Sequence, residues 1–558
     1  MDWELQEKKG QTVMSEVKEN QASGFIRQGT ILAAASIIVR IIGLLYRIPM
    51  ANILGDEGNG IYSAAFEIYN ILLIISSYGM PLAVSKMISA RCVHHEYRSA
   101  YRIFGYALVF SATSGLLMGL IVFFGADFFE KLFDYEGVAI PLRVLAPTIF
   151  IVAVMGVFRG LFQGRNTMIP TALSQVIEQI INAFVSVIAA YVLMKNHSAS
   201  KDISAWGAAG GTLGTCLGAV GALIILLLVF WLNYPTIQRE KRRDRVSDYE
   251  LPEEIIQLIL ITILPIILSQ TIYQISGVID LFIFSKLMHA AGHKSVSSLQ
   301  GVYSTDYRLL VSVPIAVSTA IASSMIPSMV ASHAMRDESA VEKKLNMAVQ
   351  FNMLVAFPSA VGLAVLGRPI LQLLFPNTDY ILGSHILLVG SSCIIFYALS
   401  TTTSAVLQSI DHMKEPVYHS LWSLIIHILL VSGLLKFSEA GVFALVIGNV
   451  TYPLVVCALN GISIKKYLGV RQEVVKTYAV PLLCSVIMGA LSIGTYKLIY
   501  LVIHSNVVAL VPAFCVALLS YFVAVIKLGG VSKSELYQFP MGGRLVRLAY
   551  RLKLMKPE

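Results

Sequence analysis

The sequence predicts an all-α polytopic membrane protein with about fourteen transmembrane helices. The first observation is composition: the 558 residues are 56% hydrophobic and 13% charged, whereas soluble domains carry about 25% charged residues. The second is that apolar runs of about 20 residues, the length that crosses the hydrocarbon core, recur along the chain. The third is that the loops between these runs are short, which leaves no soluble domain to house chemistry.

The predicted spans follow one another along the chain, and the seventh is long enough to tilt or bend. In order they cover 28–54, 60–86, 101–125, 139–162, 169–194, 204–233, 254–287, 301–331, 345–366, 381–408, 416–436, 440–462, 474–500 and 504–527. They divide the chain into two pseudo-symmetric six-helix lobes and two extra C-terminal helices. The predicted domains are a polar N-terminus (1–23), an N-lobe (24–233), a basic linker (234–252), a C-lobe (253–463), the last two spans (464–530) and a basic tail (531–558).

Charge in the loops predicts the orientation. Alternate loops are rich in lysine and arginine, as in the segment 239–245, and the others are poorer. Because a basic excess marks the cytoplasmic side, both termini are predicted to be cytoplasmic. An even number of spans agrees with this, because it places both termini on the same side. The net charge of +9 is therefore mainly a topology signal with some attraction to anionic lipid, and it does not indicate nucleic-acid binding.

An internal repeat supports the two-lobed organisation. GIYSAAFE (60–67) is echoed by GVYSTDYR (301–308), and LFQGRNTMIPTALSQ (161–175) by VLQSIDHMKEPVYHS (406–420). Six spans separate the copies, so both enter the membrane from the same side. Parallel repeats of this kind build two lobes around a central cavity, as secondary transporters do.

Polar stripes on the apolar helices mark the candidate site. Ionisable groups in mid-membrane are costly and usually face a bundle interior or an aqueous cavity. The candidate residues are Arg40, Arg47, Glu67, Asn70, Ser174, Gln175, Glu178, Gln179, Asp280 and Arg308. The stripe of the fifth span continues to Asn182 and is expected to line a wet cavity between the lobes. Pro170 suits the first turn of that helix.

Depth in the membrane suggests two ion pairs, Arg47 with Glu67 and Asp280 with Arg308. Such pairs serve either transport or a purely structural lock, and both interpretations stay open. Apart from Ser76 and Ser77, Arg40 has no obvious partner at its own level, which favours an anionic ligand. Glu178 either binds substrate, carries a coupling proton or stabilises a helix contact.

The chain shows no sign of a cofactor. The six cysteines follow no metal or disulfide spacing, and no Gly-rich phosphate loop occurs. We therefore expect no catalytic residue, no metal and no cofactor.

The block RGLFQG (159–164) followed by PTALSQVIEQI (170–180) resembles the bacterial lipid-linked oligosaccharide flippases of the stage V sporulation protein B and MurJ type. These belong to the multidrug/oligosaccharidyl-lipid/polysaccharide exporter superfamily. VRIIGLLYRIPMANILG (39–55), GMPLAVSKMIS (79–89) and ASSMIPSM (322–329) are similar to the same family, so that the resemblance covers essentially residues 24–530.

The resemblance implies a monomeric flippase of the bacterial cytoplasmic membrane. It implies that the substrate is an undecaprenyl-pyrophosphate-linked saccharide such as lipid II, moved from the inner to the outer leaflet by alternating access. It further implies that first-span arginines hold the pyrophosphate, with Arg40 as the first of them, and that the two extra helices shelter the lipid tail. The expected partners are this substrate and membrane lipids.

Two other functions remain as alternatives. A multidrug or organic-cation antiporter of the same superfamily usually has twelve spans and acidic groups in its cavity. The extra spans and the first-span arginines argue against it. A membrane glycosyl- or acyltransferase needs a catalytic acid or base on a sizeable outer loop, and the loops here are short.

Overall fold

The computed structural model describes residues 2–77, 79–244, 251–469, 473–538 and 542–555, and all regular structure in these ranges is helical. The helices of the first half are α1 (Asp2–Ser77), α2 (Met80–Val93), α3 (Tyr97–Phe133), α4 (Ala139–Gly164), α5 (Ile169–Asn196), α6 (Ile203–Arg243) and α7 (Pro252–Ala290). Those of the second half are α8 (Val296–Val302), a π-helical turn (Tyr303–Arg308), α9 (Leu309–Ala334), α10 (Glu338–Leu374), α11 (Tyr380–Gly390), α12 (Cys393–Ser409), α13 (Lys414–Phe437), α14 (Val442–Leu468), a second π-helical turn (Val475–Ala479), α15 (Val480–Ile503), α16 (Asn506–Lys527), α17 (Lys533–Gln538) and α18 (Gly542–Arg551).

The membrane-capable helices confirm the predicted all-α polytopic class. Within the described ranges, eleven helices are long and apolar enough to span a bilayer, or twelve if α11 and α12, bent by 47°, form one span. One of the eleven, Ala34–Val93, combines most of α1 with α2 and has 60 residues. At 1.5 Å per residue this is about 90 Å of helix, roughly three hydrocarbon thicknesses. Gly55 interrupts it with φ 62° and ψ −174°, outside the helical region. The count of fourteen spans stays a prediction.

The chain forms two compact units. Unit 1 comprises Met1–Leu54 with Ile61–Leu281, and unit 2 comprises Gly55–Gly60 with Phe282–Glu558. The segment Gly55–Gly60, which begins at this break in α1, therefore belongs to unit 2, although the parts of α1 on both sides of it belong to unit 1. The predicted domain boundaries stay a prediction.

The second repeat motif has the same backbone geometry in both units. In unit 1, Asn166 adopts φ 57° and the next residue, Thr167, donates its N–H to the Phe162 carbonyl at 2.9 Å. In unit 2, Asp411 adopts φ 63° and His412 donates to the Leu407 carbonyl at 3.0 Å. A left-handed residue with this bond is a common way to end a helix. The repeat is therefore present in the local backbone structure as well as in the sequence.

Helices α5 and α6 pack through small residues in unit 1. A Cβ atom added at Gly214 would collide with Ser186, and one at Gly218 would lie 2.6 Å from the Glu178 carbonyl oxygen. Small residues let helix backbones approach closely in membranes, where apolar burial against lipid gives little driving force. This contact fixes the position of α5, which carries most of the polar stripe.

Replacing Gly214 by alanine is expected to destabilise unit 1 by about 1–3 kcal/mol, the usual cost of overpacking. The measurement is the thermal unfolding of the purified protein in detergent. Gly105→Ala is the matched control, because nothing lies within 4 Å of the added Cβ there. Equal stability of the two variants would contradict the close α5–α6 contact.

The basic tail docks on unit 2. Val546 of α18 and Leu536 of α17 join a buried cluster with Leu354 and Cys484. Partial burial raises the pKa of Glu535, but the hydrogen bonds from Lys476 and Ser532 outweigh burial and lower that pKa overall. The Lys476 Nζ–Glu535 Oε1 distance is 2.6 Å, so an ion pair anchors α17.

Candidate functional site

An ion pair joins α4 and α5 of unit 1. Arg159 Nη2 lies 2.7 Å from Glu178 Oε2, and Arg159 Nε donates a hydrogen bond to Ser174 Oγ at 3.0 Å. The two charged side chains are 14% and 27% exposed, respectively. Ser174 is fully buried and donates in turn to the Thr171 carbonyl at 2.8 Å. One guanidinium thus holds two members of the predicted stripe.

Sequence reasoning missed Arg159 as the partner of Glu178. The available signal was the α4–α5 hairpin itself: Arg159 lies five residues before the end of α4, and Glu178 nine residues after the start of α5. At 1.5 Å per residue this is a difference of about 6 Å in depth, which long side chains can bridge. Depth alone did not say which faces of the helices meet.

Helix α1 contacts α5 one turn beyond Arg40. A Cβ atom at Gly43 would lie 3.2 Å from Gln179 Nε2, so the amide of Gln179 packs on this glycine. Residues three and seven apart share a helix face, and Arg40, Gly43 and Arg47 therefore line the same side of α1. The structure thus places this side of α1, at Gly43, against Gln179 of the α5 stripe.

Arg40 is exposed and makes no hydrogen bond or ion pair with any residue in the described ranges. The exposed apolar side chains of this helix, Ile41 (53%) and Leu45 (60%), point about 100–140° away from it around the helix. Tyr46, which is buried, lies on the opposite flank. Arg40 therefore stands at the border between the packed face of α1 and its apolar outer face.

The second half of α1 faces α7. A Cβ atom at Gly277 would lie 2.5 Å from Glu67 Oε2, so the Glu67 carboxylate rests directly on that glycine. Asn70, one turn further, is exposed. Arg47 acts electrostatically on the Tyr62 hydroxyl, and both Arg47 and Glu67 have polar or electrostatic partners. The Arg47–Glu67 pair stays a prediction.

The far end of the α5 stripe is packed inside the protein. Asn182 is 8% exposed, donates to the Tyr46 hydroxyl at 3.3 Å and accepts from Ser186 Oγ at 2.8 Å. The expectation that Asn182 lines a wet cavity is wrong, because α1 and α6 cover it. Gln175 is half-buried, and its Oε1 atom has no hydrogen-bond partner within the described ranges. Gln175 Oε1 is thus a buried acceptor that no described residue satisfies.

Asp280 and Arg308 lie in different units. Asp280, on α7, belongs to unit 1, and Arg308, the last residue of the first π-helical turn, belongs to unit 2. Both are half-buried and both have interactions of their own. Their pairing stays a prediction.

The turn between α4 and α5 is held by a second ion pair. Arg165 Nη2 lies 2.6 Å from Glu240 Oε1 of α6, and the Tyr101 hydroxyl of α3 donates to the other oxygen of that carboxylate at 2.8 Å. Arg165 and Glu240 border a polar cleft of about 250 Å³ that is also lined by Cys92 and Tyr97. The charge of Arg165 is therefore paired within the protein. Pro170 lies in the first turn of α5 as predicted.

The two arginines of this region differ in their partners. Arg159 forms an ion pair with Glu178, whereas Arg40 forms none with a residue in the described ranges. Guanidinium groups suit phosphate because their donors form paired hydrogen bonds with it. Within the described ranges, no group of three or more His, Cys, Asp or Glu residues has the arrangement of a metal site.

A bundle of apolar helices with buried charges on one polar face defines a polytopic membrane transporter, and the comparisons with known proteins agree. Residues 25–333 match the polysaccharide biosynthesis protein family, and because this is more than half of the chain, the protein belongs to that family. Residues 265–431 also match the MatE family. The protein is a transporter rather than an enzyme.

Two relatives from Bacillus subtilis (strain 168) support the predicted resemblance. Lipid II flippase MurJ is 25% identical over 84% of this chain and 88% of its own length. Stage V sporulation protein B is 22% identical over 94% of this chain and 99% of its own. The prediction of a transporter similar to these two proteins is confirmed.

Solved structures show the same fold. Lipid II flippase MurJ in an inward closed conformation superposes with a TM-score of 0.64 at 17% identity, covering 89% of this chain and 98% of its own. An inward-facing multidrug resistance MATE transporter of the MOP superfamily gives 0.61 at 17% identity, covering 77% and 95%.

Proposed function

We propose that the protein is a flippase that moves an undecaprenyl-pyrophosphate-linked saccharide, such as lipid II, from the inner to the outer leaflet. The observation that carries the proposal is Arg40: it is a cation within an apolar span, and no described residue pairs with it. An arginine in mid-membrane is expensive to keep unless it has a ligand. The similarity to MurJ indicates which phosphorylated ligand this is.

In this proposal the arginines bind the head group of the substrate and two helices cover its lipid tail. Arg40, supported by Gln179 on the same side of the α1–α5 contact, holds the pyrophosphate. Arg47 either shares that role or neutralises Glu67. Helices α15 and α16, which have no counterpart in the first half of the repeat, shelter the prenyl tail. The protein acts as a monomer with both termini in the cytoplasm.

Membrane potential supplies a sufficient driving force. Transfer of one negative charge outward across an inside-negative membrane is favourable by about 2.3 kcal/mol per 100 mV. A pyrophosphate that carries about two charges therefore gains roughly twice that amount. Alternating access of a central anion site, driven in this way, needs no ATP.

A multidrug or organic-cation antiporter is the second candidate, and the match of residues 265–431 to the MatE family favours it. Such a protein needs an acidic site that is free for a cation. Glu178, the acidic residue of the α5 stripe, is already paired with Arg159. That pairing is our reason for preferring an anionic substrate.

The test is the accessibility of lipid II to an external probe. A bacterial strain depleted of its own lipid II flippase, with and without this protein, is treated with an enzyme that cleaves only outer-leaflet lipid II. We expect the protein to restore cleavage. No restoration, together with faster efflux of an organic cation such as ethidium, would favour the antiporter.

Crowding at Gly277 gives a prediction for the same assay. Gly277→Ala is expected to reduce transport severalfold, because its Cβ would displace the Glu67 carboxylate, only 2.5 Å away. Initial rates of external lipid II cleavage measure the effect. Gly433→Ala, where nothing lies within 4 Å of the added atom, is the control. Unchanged rates in both variants would show that the position of Glu67 does not matter.

A further inference from the structure

The first π-helical turn of unit 2 carries a carboxyl group with no access to water. Asp306 is 0% exposed. Its carboxyl group packs against Gly383 of α11, where an added Cβ would lie 2.6 Å from Oδ2. Leu371 of α10 approaches the same glycine. An ionised carboxylate in such a place is very unfavourable unless a cation or several hydrogen bonds compensate it.

Asp306 has little hydrogen-bond compensation for a negative charge. Its only hydrogen-bond partner within the described ranges is the Thr378 hydroxyl, at 3.1 Å from Oδ1 and 3.0 Å from Oδ2. Thr378 Oγ1 also lies 2.9 Å from the Phe375 carbonyl oxygen, which already accepts the Thr378 N–H at 3.2 Å. A hydroxyl has only one hydrogen to donate. The two oxygens of Asp306 therefore share at most one hydrogen bond, which is too little to compensate a buried ionised carboxylate.

The charged groups around Asp306 also disfavour its ionisation. Asp56 of the segment Gly55–Gly60 and Asp379, the residue before α11, both act electrostatically on it. Leu371 of α10 and Gly383 of α11, which lie at the same place, carry no charge. Arg308 lies two residues further along the same turn and so points to nearly the opposite side of the helix. The two acidic neighbours oppose a third negative charge.

We propose that Asp306 is a proton-binding site, occupied in this conformation, whose release of the proton frees the segment Gly55–Gly60. This segment is held at the same place. The Asp56 carboxylate accepts the Asp379 N–H at 3.0 Å and 3.2 Å from its two oxygens, and the Asp56 carbonyl touches Gly301 of α8. A new negative charge on Asp306 repels Asp56 and weakens this attachment.

The segment makes the proton site relevant to conformational change. It lies within α1 at the break at Gly55, and it groups with unit 2 whereas the rest of α1 groups with unit 1. Binding of a proton and attachment of the segment are therefore linked equilibria, and each favours the other. The protein would in this way couple a conformational step to proton concentration, whichever molecule it transports.

The experiment uses the full-length protein in lipid nanodiscs at a series of pH values. Infrared difference spectra follow the stretching band of protonated carboxyl groups, and hydrogen–deuterium exchange follows peptides that contain residues 55–60. We expect a band at neutral pH that Asp306→Asn lacks. At high pH the band disappears from the wild type, and exchange in residues 55–60 becomes severalfold faster than in Asp306→Asn at the same pH. Absence of the band, or equal exchange of these residues in both proteins, overturns the proposal.

A second variant tests the proposal independently, in case Asp306→Asn does not fold. Asp56→Asn keeps an oxygen that accepts the Asp379 N–H but removes one negative neighbour of Asp306. The band of Asp306 should then disappear at a lower pH than in the wild type. An unchanged midpoint overturns the proposal. Neither readout measures transport, so a failure here is distinct from a failure of the proposed flippase activity.

Discussion

Substitution of Arg40 by alanine is expected to reduce the external appearance of lipid II by about 10- to 100-fold, since hydrogen bonds to charged groups contribute about 1.5–3 kcal/mol. Arg40 forms no hydrogen bond or ion pair with a residue in the described ranges, so the substitution removes only its interaction with the ligand. The measurement is the initial rate of external cleavage at matched expression. Because the side chain is exposed, the fold should survive the change.

Two further variants separate charge from geometry at this position. Arg143→Ala is the matched control: it also removes an arginine of unit 1, but one whose ion pair with Asp127 is exposed. It should leave the rate unchanged. Arg40→Lys keeps the charge but loses the paired donors of the guanidinium, so we expect an intermediate rate. If Arg40→Ala transports as well as Arg143→Ala, the site does not bind the phosphate through Arg40.

The parts of the fold that sequence predicted are those set by composition and local rules. A low charged fraction decides the membrane class, because no arrangement of these residues covers a water-exposed surface. Pro170 and the turn before it follow from helix-end chemistry, which acts over a few residues. The same rule explains why the repeat at 406–420 has the turn geometry of 161–175.

The pairing of charges across helices was beyond sequence reasoning. Periodicity shows that Ser174, Glu178 and Asn182 share one face of α5, but it does not show what covers each of them. In the structure Arg159 covers the first two, whereas Tyr46 and Ser186 enclose Asn182. Rotation of one helix against another decides these contacts, and close packing at positions such as Gly43 and Gly214 sets that rotation. The sequence around these glycines does not indicate which residues they contact.

The Arg159–Glu178 pair yields the second large effect. Arg159→Met is expected to destabilise unit 1 by about 3 kcal/mol, because removal of one partner leaves a largely buried carboxylate uncompensated. Glu178→Gln should cost less, since the amide oxygen still accepts from Arg159. The double variant Arg159→Met/Glu178→Leu should regain most of the loss, because a well-packed apolar pair often replaces a buried ion pair without cost. Thermal unfolding in detergent measures all three.

Transport by the double variant then decides what the pair is for. If Arg159 and Glu178 only hold α4 against α5, the stable double variant should translocate lipid II at the wild-type rate. If Glu178 binds substrate or carries a coupling proton, the double variant should be stable and inactive. Equal instability of Arg159→Met and the double variant would contradict the compensation argument, because it would mean that Arg159 contributes through contacts other than Glu178. The hydrogen bond from Arg159 Nε to Ser174 is the contact to test in that case.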